Sequence, residues 1–109
     1  MNPVPKNKAE KNREFLDWIA RQPHCATCGA SGVYHESTGE FLLDPSHIIS
    51  RGAGGGDIGN ALPSCRDCHT KLHRIGVTLF SLLVKKDLKV LAMAYAKRWK
   101  YGQKENQHD

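Results

Sequence analysis

The chain has 109 residues, a formal net charge of +5 and 39% hydrophobic residues, with a sequence pI near 9.2. This is the size of one small domain, in which a structural metal would supplement a modest core. No apolar run reaches the roughly 20 residues of a membrane span, and the polar start Met1-Asn2-Pro3-Val4-Pro5-Lys6 has no signal-peptide core, so the expected location is the cytoplasm.

Residues 1–5 read as a disordered lead-in. Residues 6–21 read as an amphipathic helix, with Phe15, Leu16, Trp18 and Ile19 on one side, ended by Pro23. Gly32 to His35 and Glu40 to Asp44 suggest two short strands joined by Ser37-Thr38-Gly39. The stretch from Phe41 to Ser50 also has strand character, and Pro45 within it implies an edge position or a bulge. Arg51 to Asp57 is a glycine-rich loop, and Asn60-Ala61-Leu62-Pro63 reads as a return strand. A helix is expected from near Cys65, carrying His69 and His73 and stopped by Gly76. C-terminal helices are expected over 77–101. Leu79, Leu82 and Leu83 mark one segment, and Leu88, Leu91, Ala92, Tyr95 and Trp99 form a core-facing stripe. Residues 102–109 read as a frayed tail. There is no internal repeat.

Cys25-Ala-Thr-Cys28 and Cys65-Arg-Asp-Cys68 are two CxxC pairs. In a cytosolic chain such pairs bind metal more often than they form disulfides, the alternative for a secreted domain. Four thiolates make the closed tetrahedral set of a structural zinc site, with an iron–sulfur cluster as the other ligand that accepts them. The 36 residues between Cys28 and Cys65 exceed the spacing of a simple finger, and they match a β-hairpin and loop inserted between two zinc knuckles. His69 and His73, four apart on a helix, share one face and can grip a divalent cation; an isolated pair of this kind is otherwise two exposed histidines.

The order of these parts resembles the HNH endonucleases. The residues that carry the likeness are Asp44-Pro45-Ser46-His47-Ile48-Ile49, Gly54-Gly55-Gly56-Asp57 with Asn60, and Leu62-Pro63-Ser64-Cys65-Arg66-Asp67-Cys68-His69 with His73. The likeness is closest to the zinc-ribbon members, whose two CxxC pairs flank the catalytic hairpin, and it covers roughly residues 24–80. It implies an α+β fold with a small ββα-metal (His-Me finger) core at 24–76, a four-cysteine zinc site, and flanking N- and C-terminal helices, all within a single domain over 1–109.

The resemblance further implies metal-dependent nicking or cutting of DNA. His47 would be the general base that takes a proton from the attacking water, a task suited to an imidazole. Asn60 would hold the loop and help orient that base. His69 and His73 would ligate a catalytic cation that stabilises charge on the leaving 3′ oxygen. One departure stands out: the residue before the base, usually an Asp or His ligand in this family, is Ser46. Asp44 is the nearest carboxylate and falls on the same strand face as Ser46, so it is the expected substitute ligand. With Asp44 the activator would be magnesium or manganese; two histidines alone tilt the site towards manganese, nickel or zinc.

Basic residues gather towards the ends: Lys6, Lys8, Lys11 and Arg13, then Lys85, Lys86, Lys89, Lys97, Arg98 and Lys100. They fit a polyanionic partner such as DNA, or else ordinary solvated helix faces. In the loop, Arg51 either contacts a phosphate backbone or belongs to a simple turn. His24, His35 and His108 fit no constellation. A phage-encoded recombination factor is one setting for such a chain, and a homodimer would supply two cuts on a duplex. The rival readings are a non-catalytic zinc-ribbon module that binds DNA or a partner, and a structural zinc protein whose helices self-associate.

Overall fold

The first helix is set by its cap. Asn12 is extended (φ −144°, ψ 95°) and its side-chain oxygen accepts a 2.9 Å hydrogen bond from the Phe15 N–H, so α1 spans Arg13–Ala20. In the computed structural model, which describes residues 11–49 and 55–106, Lys11 and Asn12 are not helical, which corrects the expected start at residue 6. The 6–10 part of that expectation, the 1–5 lead-in, residues 50–54 with Arg51, and 107–109 with His108 lie outside the described residues. Phe15 and Ile19 are fully buried and Trp18 is half-buried, so the apolar stripe of α1 faces the interior.

β1 (Val33–His35) and β2 (Glu40–Leu42) form an antiparallel hairpin closed by the expected turn, with Tyr34 opposite Phe41. Arg21 ties this hairpin to α1 through Glu40, with Nε donating to Oε1 at 2.6 Å and a terminal nitrogen to Oε2 at 3.0 Å.

The expected Phe41–Ser50 strand is divided between two sheets. Leu43 intervenes, its N–H taken by the Ala20 carbonyl at 2.8 Å. The chain then forms β3 (Asp44–His47), which pairs antiparallel with β4 (Ala61–Ser64). Pro45 sits directly opposite Pro63. Neither ring has an N–H to donate, so the pair suits a position whose N–H groups would point away from the partner strand. Consistently, the Pro63 carbonyl points outward and accepts a bond from the Ala26 N–H at 2.9 Å.

Alternation gives this small sheet two distinct faces. Asp44, Ser46, Leu62 and Ser64 share one, and Pro45, His47, Ala61 and Pro63 the other. Leu62 joins a core cluster with Leu72, Phe80, Leu88 and Ala92, whereas Ala61 packs with Phe15 and Ile19 of α1.

α2 spans Arg66–Val84 but is broken at Gly76, whose φ of 88° and ψ of 163° no helix accommodates. The expected stop is therefore a kink, after which the helix resumes. α3 spans Leu88–Asn106, and the Asp87 carboxylate caps it by accepting from the Lys89 and Val90 N–H groups at 3.0 and 3.2 Å. Leu88, Ala92 and Ala96 are buried, and Tyr95 touches both core clusters. The frayed tail expected from 102 is corrected: residues 102–106 continue the helix, which tolerates Gly102 at a cost of about 1 kcal/mol. Leu79, Leu82 and Leu83 are exposed, because the kink at Gly76 turns only Phe80 of that segment fully into the core. Three helices and two two-stranded antiparallel sheets among the described residues make an α+β fold. No helix among them is long and apolar enough to cross a membrane.

Candidate functional site

The four cysteines converge from two short turns. Cys25 and Cys28 lie on the loop before β1, closed by a 2.9 Å bond from the Gly29 N–H to the Cys25 carbonyl; Cys65 and Cys68 lie where β4 passes into α2. All four sulfurs lie within 4.8 Å of one another, and none is in a disulfide. Tetrahedral zinc at about 2.3 Å from each sulfur needs S···S separations of about 3.8 Å, close to the 3.6 Å between Cys28 Sγ and Cys65 Sγ. The donor set therefore fits a structural zinc ion.

The electrostatics point the same way. Burial pushes the Cys25 thiol up, but hydrogen bonds from the Thr27 hydroxyl and from the Cys65, Cys28 and Thr27 backbone outweigh it and lower the thiol to about 6. Burial, with the neighbouring thiols, pushes Cys68 up to about 12. Four thiols this close cannot all ionise without a cation, and a divalent ion lifts that restriction. Cys65 is also the N-cap of α2, with its sulfur accepting from the Cys68 N–H at 3.5 Å.

His47, at the end of β3, is held from behind. Its Nε2–H donates to Asp57 Oδ1 at 2.8 Å, and the other oxygen of Asp57 accepts from the Asn12 N–H at 2.6 Å. Asp57 is 1% exposed. A carboxylate that takes the Nε2 proton fixes the tautomer and leaves the Nδ1 lone pair as the basic position. In the sequence Asp57 is the last residue of a glycine loop, with no role of its own attached to it. The available signal was its being the one carboxylate between His47 and Asn60.

Asn60 clamps that loop. Its side-chain oxygen accepts from the Ile49 N–H, and its amide donates to the Ile49 and Gly56 carbonyls, all at 2.8 Å. Gly55 makes room for the clamp: a Cβ there would collide with the Ile49 carbonyl oxygen and lie 2.6 Å from Asn60 Nδ2.

At the start of β3, Asp44 meets the first turns of α2. His69 Nδ1 lies 3.0 Å from Asp44 Oδ2, and Arg66 Nε is 3.0 Å from the same oxygen. His69 Nε2 lies 3.0 Å from His73 Nε2. With its Nδ1 proton on Asp44, His69 presents Nε2 as a donor atom beside that of His73. Two nitrogens about 2.1 Å from one ion, at right angles, would be about 3.0 Å apart. The 3.0 Å spacing is that of a direct hydrogen bond between the two rings and equally of two nitrogens on one ion, so the pair could hold a cation with Asp44 aligning His69 from behind.

Ser46 faces inward. It is fully buried, and its Oγ is 2.6 Å from Ser64 Oγ and donates to the Leu62 carbonyl at 3.4 Å. The structure thus brings Asp44, His69 and His73 together at one end of β3 and sets His47 with Asp57 at the other. The Cα atoms of Asp44 and His47 are about 10 Å apart along the strand. Among the described residues no hydrogen bond joins His47 to the helix histidines, and register puts Asp44 and His47 on opposite faces. His24 bonds only locally, to the Gly29 carbonyl at 3.2 Å, and His35 is exposed in β1. No protein-family model matches this chain, and no curated protein matches it.

Proposed function

We propose that the chain is a metal-dependent endonuclease of the HNH kind, with β3, β4 and the first turns of α2 serving as its ββα-metal core. The observation that carries this reading is His47 fixed by the buried Asp57, at the end of the strand whose start sets Asp44 on His69. In this scheme Nδ1 of His47 takes the proton of the water that attacks a phosphodiester. Asp57 holds the imidazole in the basic tautomer and stabilises the imidazolium that forms. Asn60 keeps the loop closed so that Asp57 stays in place. A cation bound by His69 and His73 would supply charge neutralisation at the phosphate and leaving oxygen.

Asp44 is occupied by His69 and Arg66, so the ligand atoms on offer are nitrogens. Imidazole donors suit manganese, nickel or zinc better than magnesium. The basic helices would hold DNA by its phosphates.

A second reading, a non-catalytic zinc-ribbon module that binds nucleic acid, is favoured by the burial of Ser46 and by the opposite faces of Asp44 and His47. The two separate in a nicking assay on supercoiled plasmid across a metal series. Nicking that depends on His47 and on added cation supports the nuclease. DNA binding with no cleavage in any divalent metal supports the module.

A further inference from the structure

An open cleft of about 1190 Å³ lies between Trp18 of α1 and the last turns of α3, with none of the cysteines or of Asp44, His47, His69 and His73 in its lining. Its floor is aromatic. Trp18 stacks on Phe15 at a centroid distance of 6.0 Å, and Trp99 meets the same ring edge-on at 5.3 Å. Both indoles stay half-buried, and Tyr101 beside them is 66% exposed. The rim is cationic: Lys97, Arg98 and Lys100 line it, with the Arg98 guanidinium parked 4.3 Å over the Tyr95 ring, and no lining residue is acidic. Gly102, one turn beyond Trp99, puts no side chain into the space, and a Cβ there would meet nothing within 4 Å.

An apolar slot floored by indoles and ringed by cations, with no acidic residue in its lining, suits a ligand that is flat and aromatic along one edge and anionic along the other. We propose that this cleft binds single-stranded nucleic acid, with unpaired bases against Trp18, Trp99 and Tyr101 and phosphates on Lys97, Arg98 and Lys100. Bases in a duplex are already stacked and cannot enter such a slot, whereas every unpaired base has a face to offer. A protein segment would need acidic and aromatic groups alternating at a similar pitch, a narrower fit. The inference goes beyond the nuclease reading and does not rest on it.

The test is titration of the full chain with a short oligo-thymidine strand, without added divalent cation so that cleavage plays no part, read by tryptophan fluorescence. Binding should quench the emission and weaken with salt with a log–log slope of about −2, at about 0.7 per phosphate neutralised on a single strand. Gly102→Leu fills the slot in open space and improves the helix, so it should cost at least about tenfold in affinity while the melting temperature holds or rises. The double variant Lys97→Glu/Lys100→Glu should lose a similar amount and flatten the salt slope. Absence of quenching, or quenching unchanged in both variants, overturns the proposal. So does a duplex of equal length that binds the parent as tightly, with both variants unaffected. Binding without any cleavage in metal would support this inference and count only against the nuclease.

Discussion

His47 and Asp57, ten residues apart in the chain, share a 2.8 Å hydrogen bond that leaves only one ring nitrogen of His47 basic. Because Asp57 also accepts from the Asn12 N–H, the orientation of the imidazole is tied to the cap of α1. Asp57→Asn should preserve the fold and slow plasmid nicking by about 10- to 100-fold, less than the roughly 10²- to 10⁴-fold of losing a general base outright. Asp57→Ala should in addition destabilise the protein by about 1–3 kcal/mol, since it strips partners from two partly buried donors. Parent-like nicking by Asp57→Asn would remove Asp57 from the mechanism.

The loop clamp gives a prediction about stability. Gly55→Ala forces a methyl against the Ile49 carbonyl and the Asn60 amide, and should cost about 1–3 kcal/mol in urea unfolding. Asn60→Ala removes three hydrogen bonds at one site and should cost a similar amount. The double variant should lose less than the sum, since both act on one contact. Full additivity would mean the two residues act separately.

Zinc removal should unfold the chain. Chelation or Cys25→Ser takes away a centre that joins the Cys25 loop to the start of α2, and metal binding is coupled to folding. A cooperative melt unchanged after the metal is stripped would contradict this. The pH dependence follows from Cys25, whose thiol falls from an ordinary 9.0 to about 6 in the fold. A depressed acidic group stabilises the folded state fully above its unfolded value, and that gain is lost as pH falls through the folded value. Protons also compete with zinc for these thiolates, so zinc affinity, followed with a chromogenic chelator, should fall steadily as the pH is lowered.

Asp44 predicts a metal preference. While its carboxylate is on His69 Nδ1, manganese should support more nicking than magnesium. Asp44→Asn should weaken manganese affinity by about 10- to 100-fold, as loss of an outer partner of a ligand histidine does. Manganese binding followed by EPR checks this independently of cleavage. Magnesium as the better activator would argue that Asp44 leaves His69 and ligates directly.

Much of the scaffold was legible in the chain, because it is encoded by local chemistry. The Ser37-Thr38-Gly39 turn, the two CxxC pairs, the break at Gly76 and the Leu88–Trp99 stripe each depend on neighbours in sequence. The Asn12 cap was as local but was masked by the basic run before it, which suits a helix as well as a coil. Asp57 could not be ranked, since it bonds to Asn12 and His47, 45 and 10 residues away. The division of Phe41–Ser50 into two sheets was hidden for the same reason: it depends on Leu43 bonding back to Ala20 and on Pro45 finding Pro63.

The most direct test of the central claim is nicking of supercoiled plasmid by the parent and by His47→Ala, with manganese added and zinc retained. DNA binding and melting temperature are measured on the same samples. The nuclease account predicts cation-dependent nicking by the parent and a loss of about 10²- to 10⁴-fold in His47→Ala, with DNA binding unchanged and melting still cooperative but lowered, because the buried Asp57 loses a partner. Equal nicking by the two proteins, or none by the parent in any divalent metal, would contradict it.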